Sequence, residues 1–133
     1  MRTALDASVL LRILKREPGW EPWRDAVQTA SEEGVLVACP VTFAEVAPGY
    51  ADLSDLVRDW HRLGIRFDPI TPEAAYLAGQ VFLAYRREGG PRQHLLPDFI
   101  VAAHAGAQAD RLAAVDRGYL RRYFPDLPLL RPG

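Results

Sequence analysis

Apolar positions along this chain recur with two different periods. Residues 2–6, RTALD, read as a short buried strand ending on Asp6. Residues 7–16 then carry Val9, Leu10, Ile13 and Leu14 at helical spacing, and Pro18-Gly19 stops them. A second helix is predicted over 21–33, ended by Gly34, and the continuous apolar run VLVAC (35–39) reads as a strand closed by Pro40. Thr42 opens a further helix that Pro48-Gly49 breaks early. Leu53, Leu56, Val57, Trp60 and Leu63 share one face of a helix over 53–63, with a short strand at 65–67. Thr71-Pro72-Glu73 starts a long helix reaching about Arg87. GGPRQH reads as a loop, and Pro97 opens a helix to about Ala109. RLAAVD (111–116) is a strand ending on Asp116, and LPLLRP (127–132) a last short one.

Strands alternating with helical segments imply a mostly parallel sheet of about five strands, covered on both faces. No repeat, low-complexity tract or linker interrupts the pattern, so one domain is expected over 1–133. Right-handed crossovers bring the carboxyl ends of all strands to one edge, where ligands bind near the topological switch. That edge gives a joint meaning to four acidic residues. Asp6 and Asp116 end apolar strands. Glu45, three residues after Thr42 as in a T-x-x-E capping box, and Asp98, beside Pro97, fall in the first turns of helices expected to begin there. Each has an ordinary local use as cap, dipole complement or turn residue. Gathered at one edge they are something else. Two carboxylates about 5 Å apart repel by roughly 3 kcal/mol at an effective dielectric near 20, so a cluster either protonates in part or binds a cation.

Composition narrows the cation. No His or Cys cluster accompanies the acids, which disfavours zinc, and an all-oxygen site suits Mg²⁺ or Mn²⁺ with waters completing the shell. Such a site serves phosphate chemistry. With a net charge of −1, no bulk field recruits nucleic acid. Lys15 is the only lysine among 16 basic residues; Arg86, Arg87 and Arg92 flank a Gly-Gly turn, and Arg117, Arg121 and Arg122 crowd another segment. These arginines are either solvated and salt-bridged or poised to contact phosphates. Cys39 is the one cysteine and reads as a buried hydrophobe in a reducing compartment. The N-terminus lacks a signal-peptide layout and no apolar stretch approaches the roughly 20 residues that span a membrane, so a cytoplasmic protein with no membrane association is expected. His104 reads as a packed helix residue, His94 as a loop residue and His61 as a helix-surface residue. Trp20, Trp23 and Trp60 read as core or interface anchors, and Tyr119 and Tyr123 are better placed to stack on an unpaired base.

The segments LDASVLL, VTFAEV, GGPRQHLLPDFIVAAHA and AVDRGYLRRYFPDLPLLRP, in that order over nearly the whole chain, resemble the PIN-domain family. Within it the chain is similar to the VapC-like toxin ribonucleases of VapBC toxin–antitoxin systems. The resemblance implies a three-layer α/β/α domain and a Mg²⁺- or Mn²⁺-dependent endoribonuclease that uses a metal-activated water. Carried onto matching positions, Asp6, Glu45, Asp98 and Asp116 form the acidic site, with Ser8 supporting Asp6. Asp6 and Asp98 are then the nearest metal ligands; Glu45 ligates or positions the water, and Asp116 acts through a bound water or a second metal. The resemblance also implies an RNA substrate, a small antitoxin covering the acidic groove, and a homodimer. One position departs: Ala114 stands where the family commonly carries Thr or Ser. Two other readings stay open, a catalytically weak interaction module on the same scaffold and a Mg²⁺ phosphatase of aspartyl-phosphate type. The second lacks an Asp two residues after Asp6, where Ser8 stands, and a nearby lysine.

Overall fold

The computed structural model describes residues 1–90 and 95–133. Its sheet has four strands, β1 (Arg2–Leu5), β2 (Val35–Ala38), β3 (Ile65–Phe67) and β4 (Arg111–Ala113), all parallel, in the order β3-β2-β1-β4. The helices are α1 (Ala7–Leu14), α2 (Trp20–Glu33), α3 (Pro40–Val46), α4 (Leu53–Leu63), α5 (Pro72–Arg87), α6 (Leu95–Gln108) and α7 (Tyr119–Tyr123). Segment 127–132 is a fifth ribbon reduced to one bridge. Leu129 pairs in parallel with Leu112, whose N–H and C=O bond Pro128 and Leu130.

Alternation along the strands divides the core into two layers. Leu5, Leu36 and Ala38 face α1, α2 and α4, packing with Val9, Leu10, Trp23, Leu56 and Trp60. Ala4, Val37 and Leu112 face the other way, against Val101, Ala102 and Ala105 of α6. The small residues Ala78 and Ala103, with Phe99, then let α5 pack on α6 as an outer helix. The result is the expected three-layer α/β/α architecture.

From β1 the chain steps to β2 and then β3 on one side. It returns through α5 and α6 to β4 on the other. The topological switch therefore lies between β1 and β4, and the crevice outside their carboxyl ends is where a ligand is expected.

Two local expectations are corrected. Helix α3 begins at Pro40, with Cys39 as its cap, so Thr42 lies inside the first turn and T-x-x-E is not a capping box. Proline's fixed φ suits the first helical position, and it starts the helix two residues earlier than Thr42 would. Glu45 accordingly sits in the second turn of α3 rather than the first. The strand predicted over 111–116 stops at Ala113, leaving Asp116 in the following loop.

Candidate active site

Asp6 leaves β1 in extended conformation and caps α1. Its N–H still bonds the Ala113 carbonyl of β4 at 2.9 Å, so it is anchored at the switch point. Both the N–H of Ser8 (3.2 Å) and its hydroxyl donate to Asp6 Oδ2. Ser8 Oγ in turn accepts the Val115 N–H at 3.2 Å, tying the loop after β4 to the same carboxylate. Glu45 arrives from α3, which is pinned to the end of β1 by the fully buried Thr42: its hydroxyl donates to the Leu5 carbonyl at 3.0 Å. Asp98 comes from the first turn of α6, held by the packed Phe99 beside it.

These three acids meet in one recess of about 160 Å³, lined also by Ala7, Ser8, Leu11, Val115, Arg117 and Tyr119. The mutual repulsion expected of such a set is present. Partial desolvation raises the Glu45 carboxyl above its ordinary range, and the charges of Asp6 and Asp98 raise it further, although Glu45 stands at the exposed rim. Desolvation and then Asp6 raise Asp98, against the opposing pull of the Arg117 guanidinium and a hydrogen bond with the Tyr119 hydroxyl.

Asp116 is engaged elsewhere. Its Oδ1 accepts the Gly118 N–H at 2.8 Å and its Oδ2 the Arg121 Nε–H at 2.9 Å, and it does not line the recess. Ala114 is packed in the apolar cluster with Leu112 and Leu120. Among the described residues, no three Asp, Glu, His or Cys side chains already close around one point as ready-made ligands. The donor set still fits a divalent cation of the hard, hydrated kind. Mg²⁺ is ordinarily held by one or two carboxylates and keeps several waters, and Asp6, Glu45 and Asp98 supply oxygen donors with unrelieved charge.

A family model described as PIN domain matches residues 3–125. The chain belongs to the PIN domain family. No curated protein matches it by sequence. Its fold is similar to several solved structures. VapBC2 from Rickettsia felis, bound to a DNA fragment from its promoter, aligns at TM-score 0.72 with 13% identity over 97% of each chain. DNA-bound VapBC from Salmonella typhimurium aligns at 0.66 with 20% identity, over 97% of this chain and 96% of that one. FitAcB from Neisseria gonorrhoeae aligns at 0.63 with 18% identity, over 98% and 97%.

The remaining residues singled out in the sequence fall in different places around this PIN domain. Arg117 joins the acidic recess, whereas Arg86 and Arg87 sit at the end of α5 outside it, and Arg92 and His94 lie outside the described residues. His104 is buried two turns beyond Asp98, and its Nε2–H donates to Asp68 at 2.7 Å. Tyr123 donates its hydroxyl to Glu88 at 2.6 Å, and Trp23 and Trp60 are core residues. Cys39 is buried and His61 is exposed on α4. Lys15 caps the far end of α1 from Asp6, so the aspartyl-phosphate reading finds no phosphate-binding lysine. A larger groove of about 290 Å³ between α1, α2 and α4 is lined by Leu10, Ile13, Val27, Trp60 and Ile65 and carries no acidic residue. Thr42 is the residue whose importance the sequence hid, because its partner lies 37 positions away. No helix among the described residues is long and apolar enough to cross a membrane.

Proposed function

We propose that this PIN domain is a divalent-cation-dependent endoribonuclease and the toxin of a toxin–antitoxin pair. The observation that carries the reading is the convergence of Asp6, Glu45 and Asp98, from three separate elements, into one recess at the switch point, where they raise one another's affinity for positive charge. A Mg²⁺ or Mn²⁺ ion held by Asp6 and Asp98 would offset charge on the attacked phosphate and make water a better nucleophile. The chain's own groups do the rest. Ser8 keeps the Asp6 carboxylate oriented. Glu45, raised above the ordinary carboxylate range, is suited to accept the proton of the attacking water. Arg117, exposed at the rim, offers a planar guanidinium to a neighbouring phosphate, and Arg86, Arg87 and Arg92 extend that role along the RNA. In this reading Asp116 reaches the ion through water or a second metal after releasing Arg121.

The toxin assignment, a small antitoxin over the acidic groove, a homodimer and a cytoplasmic location belong to the same proposal. They are supported by the fold shared with complexes described as VapBC. The engagement of Asp116 by Arg121 favours one competing reading, a weakly catalytic interaction module. Purified protein incubated with RNA and Mn²⁺ separates the two. Cleavage that EDTA abolishes and that Asp98→Asn lowers by about 100-fold or more is expected of the nuclease. An Asp98→Asn protein cutting as fast as wild type would remove Asp98 from the site, and no cleavage by wild type at any Mn²⁺ concentration would leave the interaction module.

A further inference from the structure

The recess contains two hydroxyl groups, those of Ser8 and Tyr119. Ser8 is committed to Asp6. Tyr119 opens α7 immediately after Gly118, whose φ of +100° is a conformation few other residues adopt. Asp116 organises this turn from within: one carboxylate oxygen holds the Gly118 N–H and the other holds Arg121, on α7 itself. The turn is tied to the far side of the recess by the bond from Val115 N–H to Ser8. The Tyr119 ring leans on the fully buried Phe99, with centroids 6.0 Å apart, and Phe99 is the residue next to Asp98. The ring is thus anchored in the core, and its hydroxyl is within hydrogen-bonding reach of the Asp98 carboxylate.

We propose that Tyr119 is a positioning residue: its hydroxyl holds the Asp98 carboxylate oriented in the recess, as Ser8 holds Asp6. The inference rests on the nuclease reading above and adds to it a division of labour. Each of the two principal carboxylates has its own neutral hydroxyl donor, and Asp116 serves by shaping the turn that delivers the second. A neutral donor suits this place, because it orients a carboxylate without cancelling the charge a cation needs. Burial, Asp98 and Asp6 all push the phenol upward, so it remains a donor. The arrangement also accounts for Ala114, where a polar side chain is dispensable once the hydroxyl arrives from α7.

Tyr119→Phe keeps the ring and its contact with Phe99 and removes only the hydroxyl. Mn²⁺ binding to the metal-free full chain, measured by titration calorimetry, is expected to weaken by about tenfold, with the far-UV circular dichroism melt unchanged. RNA cleavage is expected to recover toward the wild-type rate as Mn²⁺ is raised. In a double-mutant cycle, Tyr119→Phe should weaken Mn²⁺ binding little further once Asp98→Asn is present, because the two residues act as one unit. Wild-type Mn²⁺ affinity in Tyr119→Phe, or full additivity with Asp98→Asn, would overturn the proposal and leave the nuclease reading standing. A wild-type protein that binds no Mn²⁺ in the same titration would overturn both.

Discussion

At the scale of single residues, Asp98 is an acid that folding alone does not favour. It is half-buried beside Asp6, and both effects raise its carboxyl from the usual range. A carboxyl that binds its proton more tightly in the folded chain than in the unfolded one makes stability fall as pH rises through the interval between the two pKa values. Below that interval the penalty is absent, and above it the penalty is complete. Glu45 contributes in the same direction. The metal-free Asp98→Asn protein is therefore expected to melt about 2–5 °C above wild type near neutral pH, with the difference closing as pH falls into the carboxylate range. Melting curves in EDTA across pH check this, and a variant less stable than wild type throughout would mean that Asp98 is a structural acid. Residues of this kind were legible in the sequence because strand ends and helix starts are locally signalled, and a parallel sheet sends them to one edge. The engagement of Asp116 was not legible, because Arg121 chooses its partner through the turn at Gly118, whose geometry no residue pattern states.

Elements show the same boundary between local and distant causes. The helices over 53–63 and 72–87 and the strand 65–67 agree with their sequence patterns residue for residue. Their punctuation is local: Asp52 and Thr71 accept N–H groups in the first turns, Pro72 starts α5, and Gly64 ends α4 at φ +73°. Helix α3 differs. T-x-x-E is a plausible cap, but Pro40 starts the helix earlier, and Thr42 spends its hydroxyl on the Leu5 carbonyl. That bond sets how α3 meets β1, and with it where Glu45 stands over Asp6. Thr42→Val keeps the shape and leaves the Leu5 carbonyl without this donor. It should lower stability by about 1–2 kcal/mol in urea denaturation, with a further drop in cleavage rate at saturating Mn²⁺ from displacement of Glu45. An unchanged urea midpoint would show that the helix is held by Val46 and Phe43 packing alone.

The whole molecule joins these scales, because a site assembled from β1, α3 and α6 exists only when the sheet and both layers are formed. An ion that binds the folded recess and not the unfolded chain must then stabilise the entire domain. At a Mn²⁺ concentration of about 100 times its dissociation constant, the gain is about 2.7 kcal/mol, or on the order of 10 °C in melting temperature for a domain of this size. Two further consequences distinguish this from general salt effects. Protons compete for the same oxygens, so the gain must shrink as pH falls toward the raised carboxyl range. Asp98→Asn, although more stable without metal, must gain less from it, so that the order of the two melting temperatures reverses as Mn²⁺ is added. Differential scanning calorimetry of wild type and Asp98→Asn, each with and without Mn²⁺, gives the four temperatures required. Equal shifts in both proteins would mean that the ion binds elsewhere, and the recess would then be an acidic crevice without a cation's chemistry.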